Sequence, residues 1–198
     1  MATGRRAEKM EETRAKLIAA ARKAFAEKGF AAASMDDLTA AVGLTRGALY
    51  HNFGDKTGLL AAVVHQIDAD MAARAREIGQ RKDGLWEALM AEGAAYIEMA
   101  LNPEVQRIVL RDGPAFLGDP SQWPSQNACL AATMEVLEAL IADGTVEPLD
   151  IEATARLLNG AALNAALWIA ASEDPEATLP RARGAFERLA TGILARKP

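Results

Sequence analysis

Two hydroxyl residues, Ser34 and Thr45, each stand immediately before a short run of residues with helical apolar spacing, and each run is closed by a glycine, Gly43 and Gly54. A hydroxyl in that place accepts a hydrogen bond from a backbone N–H of the first helical turn. A glycine after the run takes the left-handed backbone conformation that ends a helix. The segment 34–56 therefore reads as a helix, a tight turn and a second short helix. Asp37, three residues after Ser34, completes a capping box with Asp in place of the commoner Glu, and Asp36 adds charge favourable to a helix N-terminus. The first helix should start at Met35 and turn Leu38, Ala41 and Val42 to the core. The second should run from Arg46 to about His51, with Ala48 and Leu49 buried.

The flanking sequence fits this unit. Leu17, Ile18, Ala21 and Phe25 share one helical face between Glu11 and Lys28, and Gly29 stops that helix. Asp55 can cap a fourth helix, along which Leu59, Leu60, Val63, Val64, Ile67 and Met71 form one apolar stripe. Further helical segments are expected at about 84–101, 104–112, 126–143, 149–171 and 176–195. The stretch 113–124, with Pro114, Gly118, Pro120 and Pro124, should be a loop.

No segment alternates polar and β-branched residues, and aromatics make up only 5% of the 198 residues, so the fold class is all-α. The single cysteine, Cys129, excludes an internal disulfide, and the two histidines stand too far apart for a zinc site, so neither metal nor cofactor is expected. The N-terminus has no signal-peptide core. The most apolar run, 160–171, falls short of the roughly 20 residues that span a bilayer. A soluble cytoplasmic protein with no membrane partner is the expectation.

The net charge of −5 conceals an asymmetry. Residues 1–56 carry 10 Lys and Arg against 7 Asp and Glu, and the rest carry 12 against 20. The basic part contains the helix–turn–helix pattern, and such an excess of positive charge on one part of a chain suits a nucleic-acid partner. The second helix of such a motif lies in the major groove while its neighbours hold phosphates. Arg46 is the side chain able to make a bidentate contact to guanine. Gly47 and Ala48 are small enough to let the helix approach the groove. Ser34, Thr45, Tyr50, His51, Asn52 and Lys56 are suited to phosphate.

Taken together, these residues resemble the DNA-binding domain of the TetR family of transcriptional regulators. The resemblance covers Thr13 to Val64, about a quarter of the chain. It is carried by Ala21, Phe25, Gly29, Phe30, Ser34, Leu38, Ala41, Gly43, Leu44, Gly47, Leu49, Tyr50, Phe53, Lys56 and Leu60. Thr45 stands where Ser is usual and keeps the hydroxyl; Ala48 stands where relatives often have Thr, which removes one polar contact. The resemblance implies a helix–turn–helix DNA-binding domain over residues 1–56 and a larger helical effector-binding and dimerisation domain over residues 57–198. It further implies a homodimer that binds a double-stranded, palindromic operator and is released by a small-molecule effector.

Candidate effector contacts are Trp86, Met90, Tyr96 and Met99 in one segment, and Phe116, Trp123, Met134 and Asn159 beyond it: apolar walls with a few polar groups. Candidate dimer residues are Ala161, Ala165, Trp168 and Ile169, with Phe186, Leu189 and Ile193. Activation in place of repression stays open, since its sign depends on operator position. Two other classes stand against this reading. A helical enzyme lacks support, because no nucleophile–base pair, phosphate loop or metal pair is evident. A ligand-binding module without DNA recognition would require a damaged reading helix.

Overall fold

The computed structural model describes residues 2–195, with side chains from Ala7 onward. Among them the secondary structure is helical: α1 (Ala2–Lys28), α2 (Met35–Ala41), α3 (Arg46–Phe53), α4 (Lys56–Gly79), α5 (Leu85–Glu98), α6 (Gly113–Leu117), α7 (Pro124–Ala142), α8 (Ile151–Ala171) and α9 (Pro175–Ala190). A π-helical stretch, Val105–Asp112, precedes α6. One isolated antiparallel bridge joins Val146 to Leu194. No helix among the described residues is long and apolar enough to cross a membrane.

The chain forms two compact units. The first comprises the chain up to Ile67 together with Arg107–Gly118; the second comprises Asp68–Gln106 and the chain from Asp119 onward. Helix α4 thus contributes its first turns to one unit and its last to the other.

In the first unit the expected local signals operate. Ser34 Oγ accepts from the Asp37 N–H at 3.3 Å, Thr45 Oγ1 from the Ala48 N–H at 3.2 Å and Asp55 Oδ1 from the Gly58 N–H at 2.7 Å. Gly29, Gly43 and Gly54 all have positive φ. Leu17, Ala21 and Phe25 of α1 are buried with Leu49 of α3 and with Leu59, Leu60 and Val63 of α4. Leu38 of α2 joins this core, whereas Ala41 is exposed and Val42 only half-buried, because α2 is too short to present more than one turn inward.

The returning segment closes the unit. Asp112 Oδ2 accepts from the Phe30 N–H at 2.8 Å, and the Arg107 guanidinium lies over Gly29, where an added Cβ would come within 2.8 Å of Nη2. Turns closed five residues apart bring Arg107 and Asp112 closer to one side than α-helical turns would. Both can therefore reach the Gly29–Phe30 corner. Residues 113–117, expected as part of a loop, form a helical turn because Pro114 sits in its first turn, where no N–H is required. Phe116 from that turn packs on Phe30 with ring centroids 4.4 Å apart.

In the second unit α5, α7, α8 and α9 pack on one another. Ala155, Ala162, Ala165, Ala166 and Ala170 are buried along α8, and small side chains of this kind allow neighbouring helices to approach closely. At Gly93 of α5 the fit is tighter still: an added Cβ would lie 2.7 Å from Cζ of Phe186 on α9.

Candidate nucleic-acid interface

Helix α3 has two sides. Leu49 is fully buried and Ala48, Asn52 and Phe53 are half-buried, while Arg46, Gly47, Tyr50 and His51 face solvent. The exposed set falls at offsets 0, 1, 4 and 5, one continuous helical face beginning at the N-terminus. That is the end a reading helix directs at base edges. Gly47 leaves this face flat.

The inner side is clamped by α1. Arg14 donates from Nη1 to the Asn52 carbonyl at 3.2 Å and stacks its guanidinium 4.6 Å from the Phe53 ring centroid. The amide of Asn52 donates to the Ala48 carbonyl at 2.7 Å. The Asn52 amide, expected at the phosphates, thus spends one of its two N–H groups on its own helix.

Around α3, Ser34 and Thr45 use their oxygens as cap acceptors, and a hydroxyl in that role keeps its O–H as a donor. Lys56 begins α4, where its Nζ lies 4.6 Å from the Phe30 ring centroid and donates to the Ala31 carbonyl at 3.3 Å. Partial burial lowers the pKa of this ammonium below its ordinary value. The aromatic platform beneath it is in turn covered by Phe116. Sequence spacing could not reveal that support, since Phe116 lies 86 residues from Phe30.

Arg46 has a partner ten residues before it in the chain. Its guanidinium forms a bidentate ion pair with Asp36 at the start of α2, both side chains well exposed. An exposed pair of this kind contributes about 0–1 kcal/mol, against about 1–3 kcal/mol of discrimination from a bidentate guanine contact. A pair this weak leaves the guanidinium, on the exposed side of α3, open to exchange for a stronger partner. Asp36→Asn should raise operator affinity by about 2–5-fold in a fluorescence-anisotropy titration, because it frees Arg46 and removes a negative charge near phosphate. A weakened affinity together with lost discrimination would show instead that Asp36 is needed to aim Arg46.

The effector candidates are divided between the units. Phe116 belongs to the first, where it packs on Phe30 and is 45% exposed. Trp86, Met90, Met99 and Met134 are half-buried in the second unit. There Tyr96 and Asn159 have polar neighbours, whereas Trp123 is buried with its indole Nε1 lacking a hydrogen-bond partner among the described residues. Gln126 hydrogen-bonds Tyr96, whose phenol is pushed well above its ordinary pKa by burial and by the Asp68 carboxylate. Thr133 Oγ1 contacts Asn159 Oδ1 at 3.0 Å.

The dimer candidates also separate. Ala165, Ile169 and Phe186 are buried within the unit itself. Ala161 and Ile193 are half-buried, and Trp168 and Leu189 are exposed at 44% and 70%. Leu157, which sequence reasoning did not select, is exposed at 74% on the same α8 face as Trp168. Hydrophobicity and spacing cannot tell which of two apolar faces a helix turns inward when both carry Ala and Leu.

Comparison with known proteins bears on both units. Residues 17–63 match the family model described as bacterial regulatory proteins, tetR family, and residues 86–193 match the tetracyclin repressor-like, C-terminal domain. The crystal structure of a TetR-family transcriptional regulator from Pectobacterium atrosepticum is similar with a TM-score of 0.88 and 50% identity, covering 96% of this chain and 98% of that one. The HTH-type transcriptional repressor AcnR of Corynebacterium efficiens is 29% identical over 143 residues, 72% of this chain and 71% of the relative. RolR, whose structure holds the ligand resorcinol, shares the fold at a TM-score of 0.70 and 21% identity, covering 92% of this chain and 89% of its own.

Proposed function

The chain belongs to the TetR family of transcriptional regulators, and from that premise we propose that it is a homodimeric repressor, held on a palindromic operator and released by a small molecule bound in its second unit. The observation that carries the DNA-reading half of this is the face of α3. Arg46, Gly47, Tyr50 and His51 are presented together by a helix whose opposite side is fixed by Leu49 and Arg14. Arg46 reads base edges; Ser34, Thr45, Tyr50, His51 and Lys56 hold phosphates. Repression is supported by the repressor AcnR among the relatives, and effector binding by the resorcinol held by RolR.

Dimerisation is supported by Leu157, Trp168 and Leu189, large apolar side chains left in solvent on α8 and α9, with Arg181 stacked 5.3 Å from the Trp168 ring centroid. A second copy covering this face would place two reading helices on one operator, and two-fold protein symmetry then matches two-fold operator symmetry. The place of action is the cytoplasm.

The test is titration of the protein against DNA from its own promoter region at several salt concentrations. Lys56→Ala should weaken binding to all sequences and reduce the salt slope by about 1. Arg46→Ala should cost about 1–3 kcal/mol of discrimination between operator and mutated operator. An equal loss on every sequence for Arg46→Ala would remove it from the base-reading role, and absence of sequence-selective binding by the unaltered protein would overturn the proposal.

A further inference from the structure

A guanidinium has two edges that each present a parallel pair of N–H donors, a side edge of Nε and Nη2 and an end edge of Nη1 and Nη2. The Asp36 carboxylate takes the side edge of Arg46: Oδ1 faces Nε, and Oδ2 accepts from Nη2. Among the described residues Nη1 has no hydrogen-bond partner, so the end edge stays open. Its two donors match the spacing of guanine O6 and N7. Guanine can therefore be read through this edge without breaking the pair.

The backbone on either side of the turn sets the pair in place. Ser34 and Thr45 cap α2 and α3, which fixes Asp36 and Arg46 within the first turn of each helix. Thr39 links the two helix starts. Its buried hydroxyl faces the Met35 and Asp36 carbonyls at 3.0 and 3.1 Å, and its carbonyl accepts from the Leu44 N–H at 2.9 Å, just ahead of α3. The carboxylate and the guanidinium meet at the end of this frame, both well exposed.

A carboxylate beside a reading helix repels phosphate on every sequence alike, so by charge alone Asp36 only weakens binding. Through Arg46 its effect comes to depend on sequence. Where guanine lies opposite the start of α3, the guanidinium keeps Asp36 on one edge and gains the base on the other. Where it does not, the guanidinium gains only by swinging to a phosphate. That movement takes it off Asp36 and leaves the carboxylate unpaired against the DNA backbone.

We infer that Asp36 is a specificity-determining residue, which withholds Arg46 from the phosphates of non-cognate DNA and leaves its end edge free for guanine. The inference rests on the base-reading role of Arg46 and adds a residue that acts through it. Affinity is lowered on all DNA, and discrimination is raised.

The experiment uses the full-length chain. A preferred duplex is selected from a pool of randomised duplexes; fluorescence anisotropy then measures binding to it, to copies with each guanine replaced in turn by adenine, and to a scrambled duplex. Asp36→Asn should strengthen binding to the scrambled duplex about 3–10-fold more than binding to the preferred one. The salt slope on the scrambled duplex should steepen by about 1, as Arg46 gains a phosphate. In an Arg46→Ala background the same change should leave discrimination as it was, because no guanidinium remains to withhold. A purely structural role for Asp36 would instead alter binding to all duplexes alike.

Equal strengthening on both duplexes would reduce Asp36 to general repulsion and overturn the inference. Weaker binding of Asp36→Asn to the preferred duplex would also overturn it, since Asp36 would then aim Arg46 and not withhold it. The two readings fail separately. If Arg46→Ala costs no discrimination at any guanine, the base-reading role falls and takes the inference with it. If Arg46→Ala costs discrimination and Asp36→Asn does not, the role stands and the inference alone is lost.

Discussion

Replacing Gly58 by Ala should reduce operator affinity by about 100-fold or more and lower the stability of the first unit by about 2–3 kcal/mol. Gly58 stands in the first turn of α4, immediately after the short junction that follows α3. A Cβ built there falls 2.0 Å from the Phe53 carbonyl oxygen and 3.1 Å from the carbonyl carbon. Both atoms are backbone, so no rotamer change relieves the clash. Either the last turn of α3 moves or the first turn of α4 unwinds, and the second course also gives up the Asp55 cap on the Gly58 N–H. Each outcome shifts the reading face or Lys56, two residues away. Anisotropy titration on operator DNA reads the loss in affinity, and urea denaturation followed by circular dichroism reads the loss in stability. Native affinity in Gly58→Ala would mean that the junction tolerates a reorientation that its geometry does not suggest.

The second large effect is expected at Phe25. Its side chain is fully buried, and it meets Phe30 edge-to-face with ring centroids 5.5 Å apart. Phe25→Ala removes the ring and leaves a cavity beside Phe30, a change that typically costs about 3–5 kcal/mol. Proteins of this size have only about 5–15 kcal/mol to lose. The variant should therefore show an early transition belonging to the first unit, with DNA binding lost at that temperature while the near-ultraviolet signal of the tryptophans, all in the second unit, persists. A single unshifted transition would place the packing core of the first unit elsewhere. Phe25→Leu, which refills most of the volume, should recover most of the loss.

What could be read from the sequence was local. The caps at Ser34, Thr45 and Asp55, the glycine stops and the apolar stripe of α4 depend on residues within one or two turns of each other, and each behaves as its chemistry demands. The exposed side of α3 followed from Leu49 pointing inward. Contacts between distant residues were not legible: the Asp36–Arg46 pair crosses the turn, and Phe116 packs on Phe30 from 86 residues further along the chain. In α8 and α9 the apolar character of Ala165, Ile169 and Phe186 does not set them apart from Leu157 and Leu189, yet the first three are buried and the last two exposed.

The acceptor for the Phe30 N–H is Asp112, 82 residues further along the chain. During synthesis α1, α2 and α3 leave the ribosome well before the Asp112 carboxylate, the Arg107 guanidinium and the Phe116 ring that finish their unit. Contacts this remote in sequence slow folding, because a long loop must close before they form. The nascent N-terminal segment therefore waits, with the Phe30 corner incompletely covered, until residues 107–118 have emerged. Maturation of the DNA-reading unit is in this way tied to production of the part that follows it, and a chain interrupted near residue 80 would carry the whole reading surface without the pieces that complete it.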